Sequence, residues 1–323
     1  MSETVTIVRC RAPLVLAKRI GPGSVQACDN ARRFDLFARS VDGLGGLEEL
    51  LRILASRPDC AVVRGGIADP ARVRGVRRLL YPDPNTGEQP TLVERPRRWL
   101  PLDIDGLSCP AGIDPADLVD CARHAAAMLP ASFRGVSLVV QATASHLVEH
   151  GLHLRLWYWL DRPVSGAELK FWLRGTPVDA AVFGAAQLVY TAHPLFAGVA
   201  DPLPSRIGVL FGAREEVAVP EPAALVPPPR KPAPLPDPVH ASSYALTTLA
   251  VLATRVLTAP RGARHDTLIL AARRLAELEH QGLVAPDETE RLLIGAAKGA
   301  GLEDDRPDYR REVEAILQWA RRN

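Results

Sequence analysis

Apolar residues recur with two different periods along this chain, and the change of period divides it. Up to about residue 216 the pattern is mixed. Helical spacing occurs at 45–56 and 115–128, and short apolar or alternating runs predict strands at 60–64, 99–105, 136–141, 153–160, 187–191 and 207–211. Ser165 and Glu168 have capping-box spacing and predict a helix running through Arg174. From residue 242 onward only the helical period is left. One face carries Tyr244, Leu246, Leu249, Leu252 and Val256, and a second Leu268, Ala271, Ala272, Leu275 and Leu278. A third segment, from about Asp287 to Lys298, turns Leu292, Leu293 and Ala296 inward. A last one from about Pro307 carries Val313, Ile316, Leu317 and Ala320.

Composition adds the boundary. Nine of the positions from Pro220 to Pro238 are proline, which reads as a semi-rigid extended spacer. The expected fold class is therefore an α/β (α+β) domain at 1–216 around a small, mixed, largely antiparallel sheet. A spacer at 217–241 leads to an all-α helical bundle at 242–323. The chain has 323 residues, 47% of them hydrophobic, which excludes a wholly disordered protein. A formal net charge of +2 excludes a polycation and leaves room for a local basic cleft. No apolar run approaches the roughly 18 residues of a membrane span, so no membrane partner is expected. Five scattered cysteines without a CxxC pair suggest neither a disulfide framework nor a zinc ribbon, and a reduced cytoplasmic setting is the expectation.

Candidate chemistry concentrates in three places. In Trp99-Leu-Pro-Leu-Asp103-Ile-Asp105-Gly106 a strand turns Asp103 and Asp105 to one side and Leu102 and Ile104 to the other. Carboxylates about 7 Å apart on one face repel, and a divalent cation such as Mg2+ or Mn2+ relieves that repulsion. In Gly151-Leu-His153-Leu-Arg155-Leu-Trp157-Tyr-Trp159-Leu160 the alternation gathers His153, Arg155, Trp157 and Trp159 on one face, a natural anion site. Ser145-His146 lies just upstream. Asp179 precedes an apolar run and is either a third metal-binding carboxylate or a turn cap. Residues 64–98 hold eight arginines against four acids. That stretch leads straight into Asp103, and Arg64, Arg97 and Arg98 within it are the expected contacts for nucleic-acid phosphates. Arg261, Arg264 and His265 form a smaller basic group at a helix start in the second domain.

The order of these motifs resembles the archaeo-eukaryotic primase superfamily, and within it the primase-polymerases of plasmids and phages. A strand with Asp103 and Asp105, Ser145 before a strand bearing His153, then Asp179 and the Tyr190-x-x-x-Pro194 turn carry the likeness, which extends from about Val62 to Gly212. Many members place glycines directly before the His, whereas here Gly151 alone stands near it. The resemblance implies metal ligation of Mg2+ or Mn2+ by Asp103, Asp105 and Asp179. It also implies triphosphate contact by His153, with Ser145, Arg155 and Tyr190 in the same nucleotide pocket. The implied activity is primer synthesis, and primer extension, from nucleoside triphosphates on a single-stranded DNA template, with a replicative helicase as a possible partner. Two other readings stand beside it. One is a non-catalytic replication-initiation or single-stranded DNA-binding module retaining the fold, and the other is a DxD metal-dependent glycosyltransferase.

Overall fold

A computed structural model describes residues 2–83, 86–225, 238–260, 263–305 and 308–322. The chain divides into two compact units, Met1–Pro228 and Pro229–Asn323. In chain order the first unit contains β1 (Ser2–Cys10), β2 (Arg19–Gly21), β3 (Ser24–Gln26), β4 (Phe34–Asp42), α1 (Gly43–Ala55) and β5 (Cys60–Val63). There follow β6 (Gly66–Ile67), β7 (Leu92–Val93), β8 (Arg97–Leu107), α2 (Leu118–Ala127), β9 (Leu138–Ala142) and β10 (Leu152–Val164). Last come α3 (Gly166–Trp172), β11 (Leu195–Phe196) and β12 (Ile207–Leu210). The second unit is helical: α4 (Pro238–Leu257), α5 (Arg264–His280), α6 (Pro286–Gly299), α7 (Leu302–Asp305) and α8 (Tyr309–Arg322).

Two antiparallel sheets organise the first unit, one in the order β12-β9-β10-β8 and one in the order β4-β1-β5. In β10 every residue from Leu152 to Leu160 is buried, as a central strand covered on both faces requires. Its Leu154, Leu156, Tyr158 and Leu160 face the layer formed by α2 and Phe133, whose ring meets that of Tyr158 edge-on at 5.1 Å. Its His153, Arg155, Trp157 and Trp159 face the other way, toward α1 and the β4-β1-β5 sheet. There the indole of Trp99 donates to the Thr4 carbonyl at 3.1 Å and ties the two sheets together. Strand β8 is an edge, which is why Pro101 is tolerated within it. Helix α1 forms because Leu44, Leu47, Leu50, Leu51 and Leu54 make one buried stripe. Asp117 caps α2 through the Val119 and Asp120 amides, and the expected Ser165–Glu168 capping box opens α3.

The α+β unit followed by a helical unit is the fold class expected from the sequence. Four details differ. Residues 187–191 are extended but not a strand, joined to β5 only by the Val62–Val189 bridge. Strands β1 and β4 went unread, although they carry the second sheet. Residues 217–225, expected in the spacer, belong to the first unit: Val217 bridges to Leu160, and Leu225 is buried. On α4 the inward residues are Ala245, Leu249, Leu252 and Val256, while Leu246 is 63% exposed. The inward residues expected on α5 and α8 are buried. No described helix is long and apolar enough to cross a membrane.

Candidate functional site

The site follows from the pairing of β8 with β10. Their register sets Asp103 opposite Arg155, and β9 sets Gln141 opposite the same arginine, so one polar row crosses three strands. The Arg155 guanidinium grips Asp103 through one nitrogen, with Nη2 at 2.9 Å from both carboxylate oxygens. Its Nη1 donates to the Tyr190 carbonyl. A register shift between Leu152 and Leu154 then brings the next inward residue, His153, beside Asp105, with Nδ1 at 3.2 Å from Oδ1. The chain can approach itself so closely here because Gly106 and Gly151 both have positive φ. A Cβ on Gly151 would come within 3.0 Å of the Gly106 carbonyl carbon.

Buried polar groups hold His153 from behind. Its backbone N–H donates to His146 Nδ1 at 3.2 Å, while His146 Nε2 lies 2.7 Å from the Pro115 carbonyl and donates to it. This arrangement fixes one neutral tautomer of His146. Burial lowers its pKa, opposed by the Pro115 carbonyl and assisted by the nearby Arg206 guanidinium. His153 Nε2 meets the His150 carbonyl at 3.0 Å, so both its ring nitrogens face oxygen acceptors. Gln141 is buried, donates to the Thr191 carbonyl at 2.7 Å and accepts from the Trp157 indole at 3.2 Å.

These groups border a cavity of about 350 Å³ whose lining includes Asp103, Asp105, Ser145, His153, Arg155 and Tyr190. Six of the seven side chains expected at a metal and nucleotide site thus meet in one place. The seventh, Asp179, does not line it. Its backbone N–H donates to the Asp103 carbonyl at 2.9 Å, and Val178 bridges to Ile104, so the residue runs along the outer edge of β8. The carboxylate itself accepts from the Ala181 N–H at 2.9 Å and caps the short turn that follows. Sequence reasoning missed Lys18, Cys28, Gln141 and Glu149. Lys18 reaches across from the loop before β2, donating to Ser145 Oγ at 2.9 Å and lying 3.9 Å from Glu149. Burial raises the pKa of the Cys28 thiol. A signal existed for Gln141, a lone amide inside the apolar run Leu138–Ala142, but none for Lys18.

Three of the expected DNA contacts, Arg64, Arg97 and Arg98, need correction. Arg64 is 2% exposed, donates to the Trp99 and Val164 carbonyls at 2.6 and 2.9 Å and stacks over the Trp99 ring. Burial, with Arg97 nearby, brings its pKa down to about 9. Arg97 is buried as well, bonded to the Arg64 carbonyl and Glu3. Arg98 is spent on Glu216 and the carbonyls of Leu160 and Asp161. All three stitch β8 into the fold, and no phosphate can reach the first two. In the helical unit Arg264 donates to the Gly301 carbonyl at 3.3 Å and His265 lies 2.7 Å from Glu312, contacts that hold α5 to its neighbours. Arg261 lies outside the described residues. In comparisons with known proteins, no family model, no curated protein and no solved structure matches the chain significantly.

Proposed function

We propose that this protein is a template-directed nucleotidyltransferase of the primase-polymerase kind, adding nucleotides from triphosphates to a growing strand. The observation that carries the reading is the meeting of Asp103, Asp105, Ser145, His153, Arg155 and Tyr190 around one cavity, joined there by Lys18. Acids on one wall and cations on the others suit a substrate that brings both a triphosphate and a hydroxyl to be deprotonated. Two carboxylates presented from one rigid strand, Asp103 and Asp105, are oxygen donors of the kind a hard divalent cation takes. Mg2+ or Mn2+ held by these residues would neutralise triphosphate charge and activate the attacking 3′-hydroxyl.

The chain's own residues then have distinct tasks. Asp103 would hold a cation by giving up part of its grip on Arg155, which would free guanidinium N–H groups at the cavity wall for a phosphate. His153 orients Asp105. Lys18 supplies a mobile point charge at the mouth, where phosphate oxygens can replace Ser145 and Glu149 as its partners. Incorporation of radiolabelled nucleotide on a bare single-stranded template, with Mg2+ or Mn2+, tests the reading. A second reading, a single-stranded DNA-binding module that retains the fold without catalysis, is favoured by one contact. Arg155 already neutralises Asp103, as a structural ion pair would. That reading requires DNA binding with no incorporation under any metal.

A further inference from the structure

A second and more basic cleft lies beside the candidate active site. Asn30, Arg32 and Arg33 form one wall and Arg77, Arg78 and Leu79 the other, enclosing about 600 Å³. Arg32 and Arg33 are exposed. Arg77 pairs with Asp83, Arg33 lies 3.8 Å from Glu88, and Arg78 stacks 5.2 Å over the Phe34 ring. Next to the cleft Arg9, Arg11 and Arg74 converge on Asp35 at 3.2, 3.4 and 3.3 Å. The two groups are continuous, because Arg33 donates to the Gly75 carbonyl and the Gly75 N–H donates to Asp35. Seven arginines (9, 11, 32, 33, 74, 77 and 78) against three acids (Asp35, Asp83 and Glu88) leave this face at +4, while the whole chain carries only +2. Positive charge is therefore concentrated here and offset elsewhere.

Two links join the cleft to the cavity. Cys28 lines the cavity and Asn30, two residues on, lines the cleft. On the other side Arg78 donates to the Ala186 carbonyl, while Tyr190, four residues further, lines the cavity. Tyr190 feels both neighbourhoods. Burial and Cys28 raise the pKa of its phenol, and the nearby Arg78 opposes them. The residue is nonetheless 37% exposed, an aromatic group at the junction.

We propose that this arginine cleft is where a single-stranded DNA template runs into the cavity, its phosphates on Arg32, Arg33, Arg77 and Arg78 and a base stacked on Tyr190. Guanidinium groups in succession, ending at an exposed aromatic ring, match a polyanion whose bases are unpaired. The cleft is open and far larger than one phosphate, which argues against a site for a free anion. This inference rests on the polymerase reading for the strand's destination, but its binding test does not.

The test measures binding of full-length protein to a fluorescein-labelled oligothymidylate by anisotropy, across a salt series. The variants are Arg32→Ala/Arg33→Ala and a control, Arg123→Ala/Arg134→Ala, which removes two exposed arginines elsewhere on the same unit. Each phosphate contact on a single strand contributes about 0.7 to the slope of log affinity against log salt. The cleft variant should therefore lose about 1.4 of slope, and its affinity should change about sevenfold less than wild type between 50 and 200 mM salt. The control should keep the wild-type slope. Equal slopes in all three proteins, an equal loss in both variants, or equally tight binding of a duplex through the same arginines would each overturn the proposal. Binding through Arg32 and Arg33 with no nucleotide incorporation keeps this inference and removes the polymerase reading. Incorporation with an unaltered slope removes this inference alone.

Discussion

Breaking the Asp103–Arg155 pair should cost far more stability than an exposed ion pair. Their side chains are only 14% and 7% exposed, and the guanidinium meets both carboxylate oxygens. Surface pairs contribute about 0–1 kcal/mol, whereas removing one member of a buried pair costs about 3–5 kcal/mol, because the other charge stays buried and unmatched. Arg155→Met keeps the volume of the stem and deletes the charge, so it should cost about 3–5 kcal/mol. Asp103→Asn retains one acceptor and should cost about 1.5–3 kcal/mol, the worth of a charge-assisted bond. In the double variant neither charge is stranded, so the two costs should fall short of adding by about 2 kcal/mol or more. Urea unfolding followed by tryptophan fluorescence reports the right unit, since Trp99, Trp157, Trp159 and Trp172 all lie in it and only Trp319 lies in the other. Single variants that each cost under about 1 kcal/mol and add without coupling would mean the pair is loose in solution. Asp103 would then hold no Arg155 contact to exchange for a cation.

Lys18→Ala should weaken nucleotide affinity by about 1.5–3 kcal/mol, the range for a bond to a charged group, with Lys18→Arg partly restoring it; titration of a fluorescent nucleotide checks this, and unchanged affinity removes Lys18 from the site. Burial depresses the pKa of His146 and of His193 below the usual 6.5. The unfolded chain therefore takes up protons first, and stability should fall as pH drops below about 6.5, by up to roughly 1.4 kcal/mol per pH unit for each histidine. Melting temperatures from pH 7.5 to 5 should show that decline and show it reduced in His146→Gln; a flat profile contradicts the buried neutral ring. Cutting the chain near Pro229 should spare extension of an annealed primer and depress primer synthesis on bare template, because starting a chain means organising two nucleotides without a primer. Equal de novo synthesis by the truncated protein would leave the helical unit no part in initiation.

Strand periodicity made the site legible where side chains alternate on a buried strand. The inward row on β10 and the two carboxylates on β8 were readable because a two-residue period fixes the face, and burial then fixes the partner. That logic fails for the arginines. Arg64 and Arg97 belong to the same basic stretch as Arg77 and Arg78, and nothing local shows which two end buried and which two line a cleft. Arg32 and Arg33 lie outside that stretch and reach it only through tertiary packing. Lys18 was unreadable for the same reason, being one lysine in a loop whose contact with Ser145 spans 127 positions. Asp179 is a different case. The motif order brought it beside Asp103 along the backbone, yet the local pull of an Asp toward the amide two residues on decided where its carboxylate points.

The most direct test of the account compares wild type with Asp105→Ala in radiolabelled nucleotide incorporation on a bare single-stranded DNA template, with Mg2+ or Mn2+ supplied. Asp105 is the site's exposed carboxylate, 59% open at the side chain, so its replacement should leave the fold intact. The account predicts template-dependent products from wild type and none from Asp105→Ala, with oligonucleotide binding alike in both. Products from Asp105→Ala at the wild-type rate, or none from either protein with any metal, would contradict it.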